Sequence, residues 1–164
     1  MDISIIIPVF NSQIILPKLI ENIIFYIKKD FTNAKYEIIL VNDFSDDDSW
    51  ESITYLCKKF KTIKGINLAK NYGQHNAIMA GLNFSKGDKI ITIDDDFQHP
   101  PSALNIFLHQ LDEFDACYTY YLNRKHNFWK KLASNLNNLI SSFLLNKPLK
   151  IYMSSYRGFT RTIA

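Results

Sequence analysis

Three features of the sequence predict an α/β fold on a largely parallel sheet. Short β-branched runs alternate with stretches of helical periodicity along the whole chain. The first run, ISIIIPV at residues 3–9, is apolar at nearly every position, as suits a strand covered by helices on both faces. Polar clusters follow the apolar runs at residues 8–11, 42–46, 69–73 and 94–98, where the carboxyl ends of parallel strands bind ligands.

Pro8, near the end of the first run, fits a strand leaving its ladder. Asn11 and Ser12 are candidate helix caps, and Pro17 is tolerated only in a first helical turn. Leu19, Ile20, Ile23, Ile24 and Ile27 then recur at helical spacing. A second strand is expected at 36–41 (YEIILV), broken by the turn-forming NDFSDDD. Ser45 or Asp46 would cap a helix carrying Trp50, Ile53, Cys57 and Phe60. A third strand is expected at 63–68. A loop at 69–74 leads to a helix over 75–83, where Ala77, Ala80 and Gly81 permit close packing. Gly87-Asp88 marks a turn before a fourth strand, KIITI at 89–93, which runs into Asp94-Asp95-Asp96. Pro100-Pro101 opens another helix, 116–121 reads as a fifth strand, and 128–145 as a longer amphipathic helix. That last pattern suits a core helix with a basic outer face or an interfacial membrane helix. No internal repeat appears.

Composition narrows the class. The chain has 164 residues, enough for one domain with a sizeable core. It is 47% hydrophobic and 21% charged, with only 5 Gly and 5 Pro, which excludes a disordered or collagen-like chain. A net charge of +3 is too weak to argue for nucleic acid. No run of 18 apolar residues is present to span a bilayer, and the N-terminus has no basic n-region of a secretory signal. The 2 cysteines, Cys57 and Cys117, have no CxxC or metal spacing and read as buried thiols in a reducing compartment. His75, His99, His109 and His126 share no metal spacing either.

The sharpest chemical signal is Asp94-Asp95-Asp96. Adjacent carboxylates at a partly desolvated strand end raise their pKa values or recruit a cation. On an extended backbone Asp94 and Asp96 share a side and Asp95 points elsewhere. Their hard oxygens suit Mg²⁺ or Mn²⁺. The bland alternative is a solvated acidic turn. Asp43 follows the second strand and offers an acceptor for a nucleobase N–H, or an Asx turn. Lys70 could reach a diphosphate and Gly73 could permit close backbone approach, but taken alone these residues favour an ordinary surface loop. No GxGxxG follows the first strand and no GxxxxGK[ST] exists, which disfavours a dinucleotide fold and excludes a P-loop.

The segments IIIPVFN (5–11), ILVNDFSDD (39–47), NLAKNYGQHNAIMAGL (67–82) and GDKIITIDDDFQHPP (87–101) resemble, in this order, family 2 glycosyltransferases of the GT-A fold. The polyprenyl-phosphate branch, which includes dolichol-phosphate mannose synthase and undecaprenyl-phosphate sugar transferases, matches best through its DxDLQHPP. The resemblance implies one catalytic domain, 1–164, with a nucleotide-sugar-binding part over 1–123 and the start of an acceptor part over 124–164. It implies an inverting hexose transfer from a UDP- or GDP-sugar to a polyprenyl phosphate, in cell-envelope glycan or glycolipid synthesis. Alternatives are a saccharide-hydroxyl acceptor, or a donor-binding fragment without turnover. The implied location is cytoplasmic, at the inner face of the membrane.

By that resemblance, Pro8, Phe10, Asn11 and Asp43 serve the nucleotide. Lys70 and Asn71 take the place of an Arg-Asn pair, and Asp94, Asp95, Asp96, Gln98 and Arg124 serve the sugar diphosphate. Asp94, Asp96 and Gln98 would hold the Mg²⁺ or Mn²⁺. Asp94, Asp96 and Arg157 would be the catalytic set, Tyr156-Arg157 and Arg161 matching an aromatic-Arg…Arg pattern. Lys125, Lys130, Lys131 and Arg161 are further candidates for substrate phosphates. The acidic residue that precedes the aromatic-Arg pair in the family is missing from Tyr152, Met153, Ser154 and Ser155. A phosphate monoester is mostly a dianion at neutral pH and attacks without a base, so this departure favours a phosphate acceptor. The family continues beyond Arg161-Thr162-Ile163-Ala164, so the sequence reads as a truncated piece.

Overall fold

The computed structural model describes residues 2–98, 100–119 and 156–164. The chain divides into two compact units, Met1–Cys117 with Ser155–Ala164, and Tyr118–Ser154. The second unit lies outside the described residues apart from 118 and 119. The expected helix at 128–145 therefore lies outside them, as do His99, Arg124, Lys125, His126, Lys130, Lys131, and residues 120, 121 and 152–155.

Six strands are described: β1 (Ile3–Val9), β2 (Tyr36–Asn42), β3 (Ile63–Asn67), β4 (Lys89–Thr92), β5 (Ala116–Tyr118) and β6 (Arg157–Thr160). Four α-helices accompany them: α1 (Leu16–Asp30), α2 (Ser49–Lys59), α3 (Gln74–Phe84) and α4 (Leu104–Gln110). The sheet order is β3-β2-β1-β4-β6-β5. β1 pairs in parallel with both β2 and β4, and β2 with β3. The chain thus steps outward from β1 to β2 and β3, then returns to the other side of β1 to lay down β4. The reversal falls between β1 and β4, and parallel sheets bind ligands at such a switch point.

Alternation along the strands builds two cores. Ile3, Ile5, Ile7 and Val9 of β1 join Ile38 and Leu40 of β2 and the apolar stripe of α1, led by Leu19, Ile20 and Ile23. Ile6, Ile39, Val41 and Ile90 face the other way and meet Ala77 of α3. Each fully buried Ile or Leu contributes roughly 1.5–3 kcal/mol relative to an exposed one. Gly81 lets α3 sit close to the sheet: a Cβ there would lie 2.4 Å from Ile6 Cγ2.

On the α3 face, at the amino ends of the strands, sits a buried polar cluster. Glu37 is 1% exposed. Its Oε1 accepts the Ser4 hydroxyl at 2.7 Å and the Lys86 N–H at 2.6 Å, and its Oε2 pairs with Lys64 Nζ at 2.6 Å. Burial alone would push this carboxyl up. The Lys64 ammonium, the Ser4 hydroxyl and the Lys86 N–H outweigh it and hold Glu37 below the usual carboxylate range.

Several expectations are corrected. The helix after the second strand starts at Ser49 rather than near Ser45 or Asp46, because those residues bond to the β1–α1 loop. α1 begins at Leu16 with no side-chain cap, and Ser12 contributes only its carbonyl, to the N–H groups of Ile15 and Leu16. The sheet is largely parallel as expected, with the addition of β6, absent from the sequence reading, which pairs antiparallel with β4. Pro101 opens a 3-10 turn before the short α4. Cys57 and Cys117 are free but only half-buried, and burial raises both thiol pKa values.

Candidate functional site

The β1–α1 loop has no ladder to satisfy its backbone, so side chains do it. Four successive N–H groups donate to side-chain oxygens from elsewhere. Phe10 N–H reaches Asp95 Oδ2 at 3.0 Å, and Asn11 N–H reaches Ser45 Oγ at 3.0 Å. Ser12 N–H reaches Ser49 Oγ at 2.9 Å, and Gln13 N–H reaches Asp47 Oδ2 at 3.1 Å. Asn11 returns the contact, its Oδ1 accepting Asp46 N–H at 2.8 Å. Burial pushes the Asp47 carboxyl up, but the Ser49 hydroxyl and the Gln13 and Ser49 N–H groups hold it low. The acidic run after β2 is therefore spent on fixing the loop after β1.

The end of β2 is tied to the end of β3. Buried Asn42 donates from Nδ2 to Asn67 Oδ1 at 2.7 Å, and its Oδ1 accepts the Ser45 hydroxyl at 2.6 Å. Asp43, 3% exposed, accepts the Tyr72 N–H on Oδ1 at 2.8 Å. Its Oδ2 has no hydrogen-bond partner among the described residues.

The acidic triplet after β4 is not extended. β4 stops at Thr92, the Ile93 N–H adds one bond to Ile6 O, and Asp95 and Asp96 form a turn. Phe97 follows at φ 58°. Turn geometry, rather than strand alternation, sets the three carboxylates apart. Gln74 Nε2 donates to Asp94 Oδ1, Asp95 Oδ2 takes Phe10 N–H and the Ser12 hydroxyl, and Asp96 Oδ1 takes Gln98 N–H at 2.9 Å. Burial pushes the Asp95 carboxyl up, and the Asp96 charge adds to the rise; the Ser12 hydroxyl and Phe10 N–H offset part of it.

Asn11, Phe44 and Phe97 carry left-handed φ angles of 54°, 59° and 58°. Asn11 and Phe97 follow β1 and β4, the strands that flank the switch point, and Phe44 follows β2. For phenylalanine that conformation is strained, and strain of this kind collects at functional sites.

These loops enclose a cavity of about 370 Å³ at the switch point. Pro8, Val9 and Phe10 line one side, and Asp43 lines the floor beside β2. Asn71, Gly73 and Gln74 supply the start of α3, and Asp94, Asp95 and Asp96 the remaining wall. Gly73, at φ 85° and ψ 154°, caps α3 in a conformation that side chains avoid. The cavity thus combines carboxylates with the positive end of a helix dipole, a setting for a cation and a phosphate side by side. Among the described residues, no Lys or Arg forms an ion pair with Asp43, Asp95 or Asp96. Nor do three His, Cys, Asp or Glu side chains among them come together as a group that could hold a metal ion by itself. Such a donor set suits a hard cation that completes its shell with substrate phosphates and water.

Of the expected site residues, Pro8, Phe10, Asp43, Asn71, Asp94, Asp95 and Asp96 line this cavity. Asn11, Lys70 and Gln98 do not. Asn11 instead shapes the loop, Lys70 is exposed with its ammonium 5.0 Å from the Tyr72 ring, and Gln98 is exposed. Arg157 stands opposite Thr92 in the β4–β6 register, at the strand end that leads into the triplet. Arg161 is at the far end: its guanidinium donates to Gly87 O and Ser85 Oγ, so it is committed to the fold and not to phosphate. Val9 and Gln74 line the cavity without having been expected. Val9 reads only as strand core, and nothing in the pattern around Gln74 marks it.

The family model described as "Glycosyl transferase family 2" matches residues 4–164. The chain is 39% identical over 163 residues to an undecaprenyl-phosphate 4-deoxy-4-formamido-L-arabinose transferase of Yersinia pestis, and equally so to one of Yersinia pseudotuberculosis. The match covers 98% of this chain and 49% of each relative, so the chain spans about half the length of those relatives. Among solved structures, a mannosyltransferase from Pyrobaculum calidifontis in complex with GDP-Man and Mn²⁺ superposes with TM-score 0.69 at 17% identity, over 98% of this chain and 45% of that one. A glucosyl-3-phosphoglycerate synthase from Mycobacterium tuberculosis, with Mn²⁺, UDP and glucosyl-3-phosphoglycerate, gives 0.73 at 15% identity, over 99% and 57%. The fold is thus GT-A, and with the family model spanning nearly every residue, the chain belongs to glycosyl transferase family 2.

Proposed function

We propose that this chain is the donor-binding part of an inverting glycosyltransferase that moves a hexose from a UDP- or GDP-sugar to a polyprenyl phosphate. The observation that carries the reading is the convergence of Asp43, Asp94 and Asp96 on one cavity at the β1/β4 switch point, beside the start of α3. In this reading Pro8, Phe10 and Asp43 meet the base, with Asp43 Oδ2 accepting a base N–H. Asn11 acts through the loop it shapes. Asn71, Gly73 and the N–H groups that open α3 meet the diphosphate, with Lys70 and Gln98 at its margin. Asp94 and Asp96 would hold Mg²⁺ or Mn²⁺, which when bound stabilises charge growing on the departing diphosphate.

Arg157 supports the reading from β6. Its Nε is buried and lacks a hydrogen-bond partner among the described residues, which leaves a donor for an anion. The acceptor phosphate, already a dianion, needs no general base. Such an acceptor would place the whole protein at the inner face of a membrane. Among the described residues no helix is long and apolar enough to cross one. In this division residues 1–123 bind the donor and 124–164 begin the acceptor side.

A second reading, donor binding without turnover, is favoured by the half-length match to the relatives. One experiment separates them. UDP- and GDP-sugars are screened by thermal shift with Mn²⁺, and the best donor is then incubated with undecaprenyl phosphate while glycolipid is measured. Glycolipid formation supports transfer, and a metal-dependent shift alone supports the fragment. Metal-dependent nucleotide binding that persists in Asp96→Ala overturns the site.

A further inference from the structure

Three carboxylates stand side by side after β4, and they are not equivalent. Asp94 meets a side chain from α3, and Asp96 caps its own turn. Asp95 reaches back to β1. One oxygen, Oδ2, accepts both the Phe10 N–H and the Ser12 hydroxyl. The other anchors of the 10–13 turn come from Ser45, Ser49 and Asp47 on the β2 side. Asp95 is the anchor from the β4 side among the described residues. Phe10 is 46% exposed, lines the cavity, and has little packing of its own to fix it.

We propose that Asp95 is a positioning residue: through Phe10 N–H and Ser12 Oγ it sets the wall of the cavity that meets the donor's base, and it does not ligate the cation. This rests on the donor-binding reading above. The geometry assigns separate tasks to chemically identical neighbours. An acceptor already sharing its oxygen between two donors is poorly placed to give that oxygen to a metal. The proposal also specifies what Asp95 must be: an acceptor at Oδ2, with no requirement for charge.

The test compares UDP and GDP affinities by calorimetry, with and without Mn²⁺, in the 164-residue chain and its variants. Asn at 95 retains an acceptor oxygen, so Asp95→Asn is expected to stay within about twofold of the parent, with unchanged Mn²⁺ dependence. Asp95→Ala removes both hydrogen bonds and is expected to raise Kd about tenfold or more. Ser12→Ala removes one bond and is expected to give a smaller rise, which provides a readout should Asp95→Ala not fold. Asp96→Asn is expected to lose the Mn²⁺-dependent part. Asp95→Asn losing Mn²⁺ dependence as Asp96→Asn does would overturn the proposal, as would parental affinity in both Asp95→Ala and Ser12→Ala. If the parent chain binds neither nucleotide with Mn²⁺, the donor-binding reading itself falls, so the two failures are told apart by the parent alone.

Discussion

Asp43 Oδ1 accepts the backbone N–H of Tyr72 at 2.8 Å, and this bond joins the end of β2 to the loop that opens α3. One carboxylate thereby does two things. Oδ1 holds the loop, and Oδ2 remains for a ligand. Asp43→Asn keeps the acceptor for Tyr72 and converts the second oxygen into a donor. Its melting temperature should stay close to the parent's, while affinity for UDP or GDP falls about tenfold or more, since both bases present N–H groups. Asp43→Ala should lose affinity and stability together. Calorimetry and thermal melts on the two variants check the split.

Glu37 makes stability depend on acid. Its folded pKa lies below the ordinary carboxylate value, so it contributes stability above that value, lost as pH falls through the folded pKa. Glu37→Gln should therefore flatten the acid limb of a stability–pH curve measured by urea unfolding. It should also cost stability at pH 7. Gln keeps an acceptor oxygen for the Ser4 hydroxyl and the Lys86 N–H and gives up the pairing with Lys64, which is 45% exposed and keeps its hydration, so the loss should be about 1 kcal/mol. An unchanged acid limb would show that Glu37 does not titrate as described.

Close packing at α3 gives a third prediction. Gly81→Ala places a methyl 2.4 Å from Ile6 Cγ2, with Val41 Cγ2 at 3.3 Å behind it. Ile6 is fully buried. The variant should lose about 1–3 kcal/mol, read as a lower urea midpoint with an unchanged slope.

How much of this was legible in the sequence follows from what each feature depends on. β1 and β2 are runs of β-branched and apolar residues buried on both faces, and such runs announce themselves. The positions of Asp43 and Asp94 followed, because Asp43 directly succeeds β2 and Asp94 directly succeeds the apolar run KIITI at 89–93. The path after Asp94 was not legible. An extended continuation and a turn place the triplet differently, and the turn depends on Phe97 taking a left-handed φ that its residue type disfavours. The sequence set Asp95 apart from Asp94 and Asp96, but not the partners that hold them, since Gln74 and Ser12 are distant in sequence and ordinary in type. β6 has four residues, one of them Gly, too few to show a period.

Arg157 and Arg161 lie four residues apart on a segment that runs antiparallel to β4, so the sheet carries them to opposite ends. Arg157 stands opposite Thr92, beside the acidic turn. Arg161 reaches Gly87 O from Nε at 3.0 Å and from a terminal nitrogen at 2.8 Å, and Ser85 Oγ at 3.0 Å. It closes the turn before β4, where the Arg161 N–H also donates to Asp88 O. Arg161→Ala should therefore cost about 1–3 kcal/mol of stability and leave UDP or GDP affinity unchanged once folded. Arg157→Ala should do the reverse, with little change in melting temperature and at least about tenfold slower transfer of sugar to undecaprenyl phosphate. Lys at 161 keeps the charge but not the planar fork, so Arg161→Lys should recover only part of the lost stability. If Arg161→Ala instead weakens nucleotide binding at an unchanged melting temperature, its guanidinium serves the ligand and not the turn.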